Sequence, residues 1–210
     1  RPFDGVPHHS HAALAAAAAG GHAAVVKLLL ARGADPSLRD CGALVRDAAV
    51  DYFGNRIDER MRPRTPFVLA VLGGHLEAAR LLAPFNPDVN YLALRNIPLL
   101  ADCIINGRLD LAKLLIGLGA DVKPVFEHMT FGTSTALAVA VHINAPELIG
   151  PLARAGADLE RPCGNVDKVT PLFMAVRLNR ARVVAALLAA GARCDAVSKF
   201  EWSPLTPFQL

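Results

Sequence analysis

The chain has 210 residues and a formal net charge of +3; 53% of its residues are hydrophobic and only 6% aromatic. That length gives room for one or two domains with a real core, made of the small and aliphatic side chains that closely packed short helices require. The small charge argues against nucleic acid as a partner, and no apolar run reaches the roughly 18 residues of a membrane-spanning helix.

The chain opens without a basic, apolar, small-residue leader, which predicts an intracellular setting. The cysteines agree with that: Cys41, Cys103, Cys163 and Cys194 form no CxxC pair and read as reduced thiols. Near the start stand His8, His9 and His11. Three imidazoles this close suit a divalent metal, but no fourth ligand lies nearby and the only adjacent carboxylate is Asp4. The cluster therefore reads as a surface loop before the first helix, with neither metal nor cofactor expected.

The next segments repeat. The string GHAAVVKLLLARGAD (Gly21 to Asp35) returns as GHLEAARLLAPFNPD (Gly74 to Asp88) and as GRLDLAKLLIGLGAD (Gly107 to Asp121). Two further copies end at Asp158 and Ala192. Each follows a shorter segment whose clearest openings are Thr65-Pro66 and Thr170-Pro171, with Thr135-Ala136 close to them. Counting from the opening residue, the anchors are 12, 65, 98, 135, 170 and a sixth, partial one at 203, so the period is about 33. Two residues after the first five anchors stand Leu14, Phe67, Leu100, Leu137 and Leu172; five after, Ala17, Ala70, Cys103, Ala140 and Ala175. Nine after stand Gly21, Gly74, Gly107, Asn144 and Asn179; seventeen after, always Leu; twenty-one after, Gly33, Asn86, Gly119, Gly156 and Gly191.

Each column has a physical reason. Thr caps a helix with its hydroxyl, and Pro next to it forfeits no needed N–H. The small residue lets helices approach closely. Gly or Asn ends a helix in the left-handed conformation. The leucines fill the space between second helices. Asp35, Asp88, Asp121 and Asp158 suit the turn leading out of each repeat.

These segments resemble ankyrin repeats, whose signature joins Thr-Pro-Leu-His and Ala to Gly-His, Leu-Leu and Gly-Ala-Asp. The resemblance covers roughly residues 8–210, although the first His is replaced throughout and Gly-His survives only at Gly21-His22 and Gly74-His75, where the ring is expected to bridge repeats. It implies an all-α solenoid of stacked helix–turn–helix units with short β-hairpin loops, forming one domain over 1–210. Leu82 to Asn90 also fits a pattern that resembles an asparagine-hydroxylation site, but the same letters are repeat consensus.

The resemblance also implies a function: a protein–protein interaction scaffold or targeting module, monomeric, binding through a concave face and hairpin tips. Carried onto this chain, the tips hold Arg62, Arg64, Arg95, Phe131 and Trp202, and the exposed first-helix positions hold His142, Ile143, Arg177 and Leu178. Arg62, Arg64, Arg95 and Arg177 are expected to share one basic stripe and to suit an acidic or phosphorylated segment. The insertion at 39–64, with Arg56, Arg60, Arg62 and Arg64 beside Tyr52 and Phe53, is either a partner-binding element or a solvated finger. In the extension from Lys123 to Ser134, Phe126, Met129 and Phe131 are expected to fold over the hairpin edge, while His128 and His142 stand alone.

No catalytic set emerges. The serines lack a nucleophile-elbow context, and the glycines are accounted for as helix ends rather than a phosphate loop. The competing reading is a regulatory or substrate-recognition part of a larger enzyme, or an enzyme built on the 39–64 insertion. At the other end, SPLTPFQL (Ser203 to Leu210) restarts the motif with exposed apolar residues, so a longer array or an unusual cap is expected.

Overall fold

A computed structural model describes residues 8–38, 64–164, 169–195, 198–199 and 204–205. Contacts gather the chain into two compact units, residues 1–88 and 89–210. In the first unit the helices are α1 (His8–Ala19), α2 (Ala23–Ala31), α3 (Pro66–Gly73) and α4 (Leu76–Leu82). The second holds α5 (Leu99–Ile105), α6 (Leu109–Gly117), α7 (Ala136–His142), α8 (Pro146–Arg154), α9 (Pro171–Arg177) and α10 (Ala181–Ala189). It also holds two antiparallel hairpins, β1 (Phe126–His128) with β2 (Gly132–Ser134) and β3 (Ser198–Lys199) with β4 (Pro204–Leu205).

The caps start the helices where the threonines stand. Thr65, Thr135 and Thr170 accept hydrogen bonds from the backbone N–H of Val68, Ala138 and Phe173, at 3.3, 3.2 and 3.3 Å. The residues of both Gly/Asn columns have positive φ, from +51° at Asn86 to +97° at Gly191, so the helices stop where the left-handed conformation is cheapest. First helices bury more of their circumference than second helices do: Ala136 to Val141 of α7 are all buried. Second helices bury a stripe, such as Leu148, Ile149 and Leu152 of α8.

Like packs on like. In the first unit α1 lies on α3 and α2 on α4; in the second α5 lies on α7, α7 on α9, α6 on α8 and α8 on α10. The small column is buried at every repeat, which brings neighbouring first helices together. The leucine column is buried at Leu82, Leu115, Leu152 and Leu187, but Leu29 is half-buried. His75 donates from Nε2 to the Ala19 carbonyl at 3.0 Å, tying the two helix pairs of the first unit. His22 is exposed and makes no such bond among the described residues.

The turns between repeats are tied by side chains. Asp35, Asp121 and Asp158 each accept from the backbone N–H two residues on, at 2.8, 2.9 and 3.0 Å. Asn90 then accepts from the Asp121 N–H at 2.8 Å, and Glu160 does the same for Arg193 at 2.7 Å. The asparagine at the hydroxylation-like match therefore has a structural job.

Two expectations need correcting. The first helix starts at His8, not at Ala12, so the histidine cluster lies in its first turns rather than in a loop. No capping hydroxyl stands at 12, and the alanine-rich run extends a helix readily in both directions. At the far end, Pro204 and Leu205 form a strand and do not open a helix at Ser203. Lys199 faces Pro204 and Ser198 faces Leu205. Strand β2 ends one residue before the anchor Thr135, and β4 ends one residue before Thr206-Pro207. Residues 206–210 lie outside the described ones, as does the expected chain-end cap.

Candidate partner-binding site

The hairpin of the fourth repeat is the most elaborated loop described. Its three-residue tip, Met129 to Phe131, closes through Gly132 at φ +64°, the left-handed position such loops require. The Ser134 hydroxyl donates to the Phe131 carbonyl at 3.0 Å, and the Thr133 hydroxyl donates to Glu127 Oε1 at 2.6 Å. The Thr130 N–H donates to His128 Nδ1 at 3.2 Å. That last bond fixes the tautomer: Nδ1 must be bare, so the neutral ring carries its proton on Nε2.

These bonds hold an aromatic sandwich. The His128 ring stacks on Phe131 with centroids 4.7 Å apart and planes 22° apart. On its other side Phe131 meets His142, in the last turn of α7, at 5.1 Å and 38°. Burial and then the nearby Arg95 hold the His128 imidazole below the usual histidine range. Burial, Arg177 and Arg180 do the same to His142. Arg180 Nε is buried and has no hydrogen-bond partner among the described residues. A string of cations and rings thus runs Arg95, His128, Phe131, His142, Arg177 and Arg180, drawn from three successive repeats of the second unit.

Beside it, Arg95, Ile97, Glu127, His128, Met129 and Thr130 line a cleft of about 670 Å³. Of the three apolar residues expected to fold over the edge, Phe126 does so at 6% exposure, Phe131 is half-buried between the imidazoles, and Met129 is 63% exposed. His128 and His142 do not stand alone, because Phe131 joins them.

A family model for ankyrin repeats in three copies matches residues 100–198, and one for the single ankyrin repeat matches residues 11–41. Together they span more than half of the chain. The chain belongs to the ankyrin-repeat family. Ankyrin repeats are in general protein–protein interaction modules. The crystal structure of the human ASB11 ankyrin repeat domain is similar in fold, with a TM-score of 0.60 at 22% identity over 92% of this chain and 74% of that one. No curated protein matches the chain.

Within this ankyrin fold the residues singled out from sequence fall in three groups. Arg95, Phe131, His142 and Arg177 come together in the cation–ring string; Ile143 and Leu178, half-buried, cap α7 and α9 beside it. Arg64 belongs to the first unit and is only half-exposed. Arg62, Trp202 and the insertion up to residue 63 lie outside the described residues. His128 and Arg180 were missed. The signal for Arg180 was present: it directly follows the Asn179 that ends α9.

Burial and then the Asp102 charge push the Cys103 thiol up to about 12, which suppresses its nucleophilic thiolate. Among the described residues no group of His, Cys, Asp and Glu is placed to hold a metal, and no helix is long and apolar enough to cross a membrane.

Arg95 has one more feature. It and Asn96 both sit at positive φ, 58° and 60°, closing the tight turn in which the Ala93 N–H donates to the Ile97 carbonyl at 2.7 Å. Three residues, Leu94, Arg95 and Asn96, lie inside that bond, and the last two take the left-handed conformation that glycine adopts most cheaply. An arginine in that conformation is strained, and strain is often kept where a side chain is needed. Arg95→Gly should raise stability by roughly 0.5–1 kcal/mol, measured by urea unfolding. A lower midpoint would show that the Arg95 side chain supports the fold.

Proposed function

We propose that this chain is a protein-recognition domain that binds an acidic or phosphorylated segment of a partner along the cation–ring string of its second unit. One observation carries the reading: Arg95, Arg177 and Arg180 flank a rigid His–Phe–His stack. Guanidinium groups offer forked donors to carboxylates and phosphates. The stacked rings supply a preorganised surface that loses little entropy on binding. The domain acts over 1–210 as a monomeric scaffold or targeting arm. Its buried thiols Cys103 and Cys163 fit a reducing, intracellular compartment.

The test is anisotropy with a labelled hexa-aspartate peptide and its phosphoserine counterpart. The double change Arg177→Glu with Arg180→Glu should weaken binding by about tenfold or more. Arg193→Glu, which reverses a charge in the turn after α10 beside Asp195, should leave it unchanged. Equal loss in both variants would reduce the effect to net charge and remove the reading.

A further inference from the structure

The two histidines of the string are held in an unusual way. His128 accepts at Nδ1 from a backbone N–H, so a second proton there would break that bond and leave the Thr130 N–H unpaired. His142 packs against Phe131, and Arg177 and Arg180 lie close enough to act on its charge. Both imidazoles are therefore held below the usual histidine range when the site is empty, so each favours its neutral form.

We propose that His128 and His142 are proton-coupled specificity residues of this site: an anionic segment laid across Arg95, Arg177 and Arg180 draws protons onto them, so acidic partners bind more tightly as pH falls. The inference rests on the function proposed above and adds how it is regulated. An anion beside the guanidinium groups cancels the repulsion that keeps the rings neutral. Each imidazole then gains a partner for its own charge, with Nε2–H and a second N–H as donors. Binding and protonation favour each other by the same factor, as linkage requires.

Among the described residues no other group is placed to do this. Of the elements packed on α7, α5 carries Asp102, which is coupled to Arg108 and Asn106. Helix α8 carries Glu147 and Arg154, neither of which shifts His142, and α9 carries Arg177. Near His128 the carboxylate that lines the cleft, among the described residues, is Glu127, which accepts from Thr133. The sign follows. An anion raises the imidazole pKa from its depressed value, so a proton is taken up between the free and bound values, and affinity grows as pH falls through that window.

The probe is hexa-aspartate, whose carboxylates stay ionised well above pH 5. Its affinity should be about fivefold higher at pH 6 than at pH 8. In the same samples, the ring-proton NMR signals of His128 and His142 should titrate at higher pH with peptide than without. In the double variant His128→Gln with His142→Gln, the peptide should still bind at pH 8, but its affinity should no longer depend on pH. Circular dichroism confirms that this variant is folded; single replacements provide the same test should it not be. Binding with unmoved histidine titrations overturns this inference and leaves the recognition site standing. No binding at any pH overturns the site itself, and the inference with it.

Discussion

Leu115→Ala should lower the unfolding free energy by about 2–5 kcal/mol, the range for buried leucines that leave a cavity behind. Leu115 is fully inaccessible. It lies in α6, which packs on α5 within its own repeat and on α8 of the next. Its backbone is also committed, since its carbonyl accepts from Ala120 at 3.0 Å to close the helix. The surroundings cannot collapse onto the void without moving two repeats. The urea midpoint should fall, and amide exchange should accelerate in α8 as well as in α6, because the interface is shared. A midpoint equal to that of the unchanged protein, or exchange confined to α6, would contradict this packing.

Gly21→Ala should cost about 2–4 kcal/mol in the first unit, from two separable sources. Gly21 sits at φ +69°, where any side chain is strained. A methyl there would also fall on the His75 ring, well inside contact with Nδ1. Gly73 hems in the other edge of the ring: a Cβ on it would lie 2.5 Å from Cδ2. With no room to slide, the ring would have to give up its hydrogen bond to the Ala19 carbonyl. A double-mutant cycle separates the terms. In a His75→Ala background, Gly21→Ala should cost only its backbone part, about 1–2 kcal/mol. Equal costs in both backgrounds would mean that the ring does not sense the methyl.

These two positions show which parts of the fold were legible in the chain. Helix ends could be read because their causes are local: a threonine hydroxyl reaches three residues along, and a left-handed residue is glycine or asparagine. The leucine column could be read because period and burial coincide. A helix opening at Ser203 was the natural expectation, because Ser203-Pro204 is an acceptable cap at the base period; the pairing of Ser198–Lys199 with Pro204–Leu205 puts a strand there, and such pairing leaves no local mark in the sequence.

The candidate site was harder to read, for a different reason. Phe131, His142, Arg95 and Arg177 were each reachable from their place in a repeat, but their association was not. It depends on a three-residue hairpin tip that throws Phe131 toward α7, and on stacking that brings the ends of α7 and α9 together. His128 lies in an extension that has no counterpart in the other repeats, so no column drew attention to it. Its importance comes from one backbone hydrogen bond and one ring contact, neither of which leaves a trace in spacing.

The like-on-like stacking of helices has a kinetic consequence. Helix α5 finds α7, and α7 finds α9, each across a separation of little more than one repeat. The entropy lost in closing such a loop grows only with the logarithm of its length, by about 0.6 kcal/mol for each doubling. No step in building the second unit therefore has to join distant parts of the chain before nearer ones are in place. Once one neighbouring pair has docked, the next repeat adds to a surface already formed, and the search is no longer for adding a fourth repeat than for adding a third.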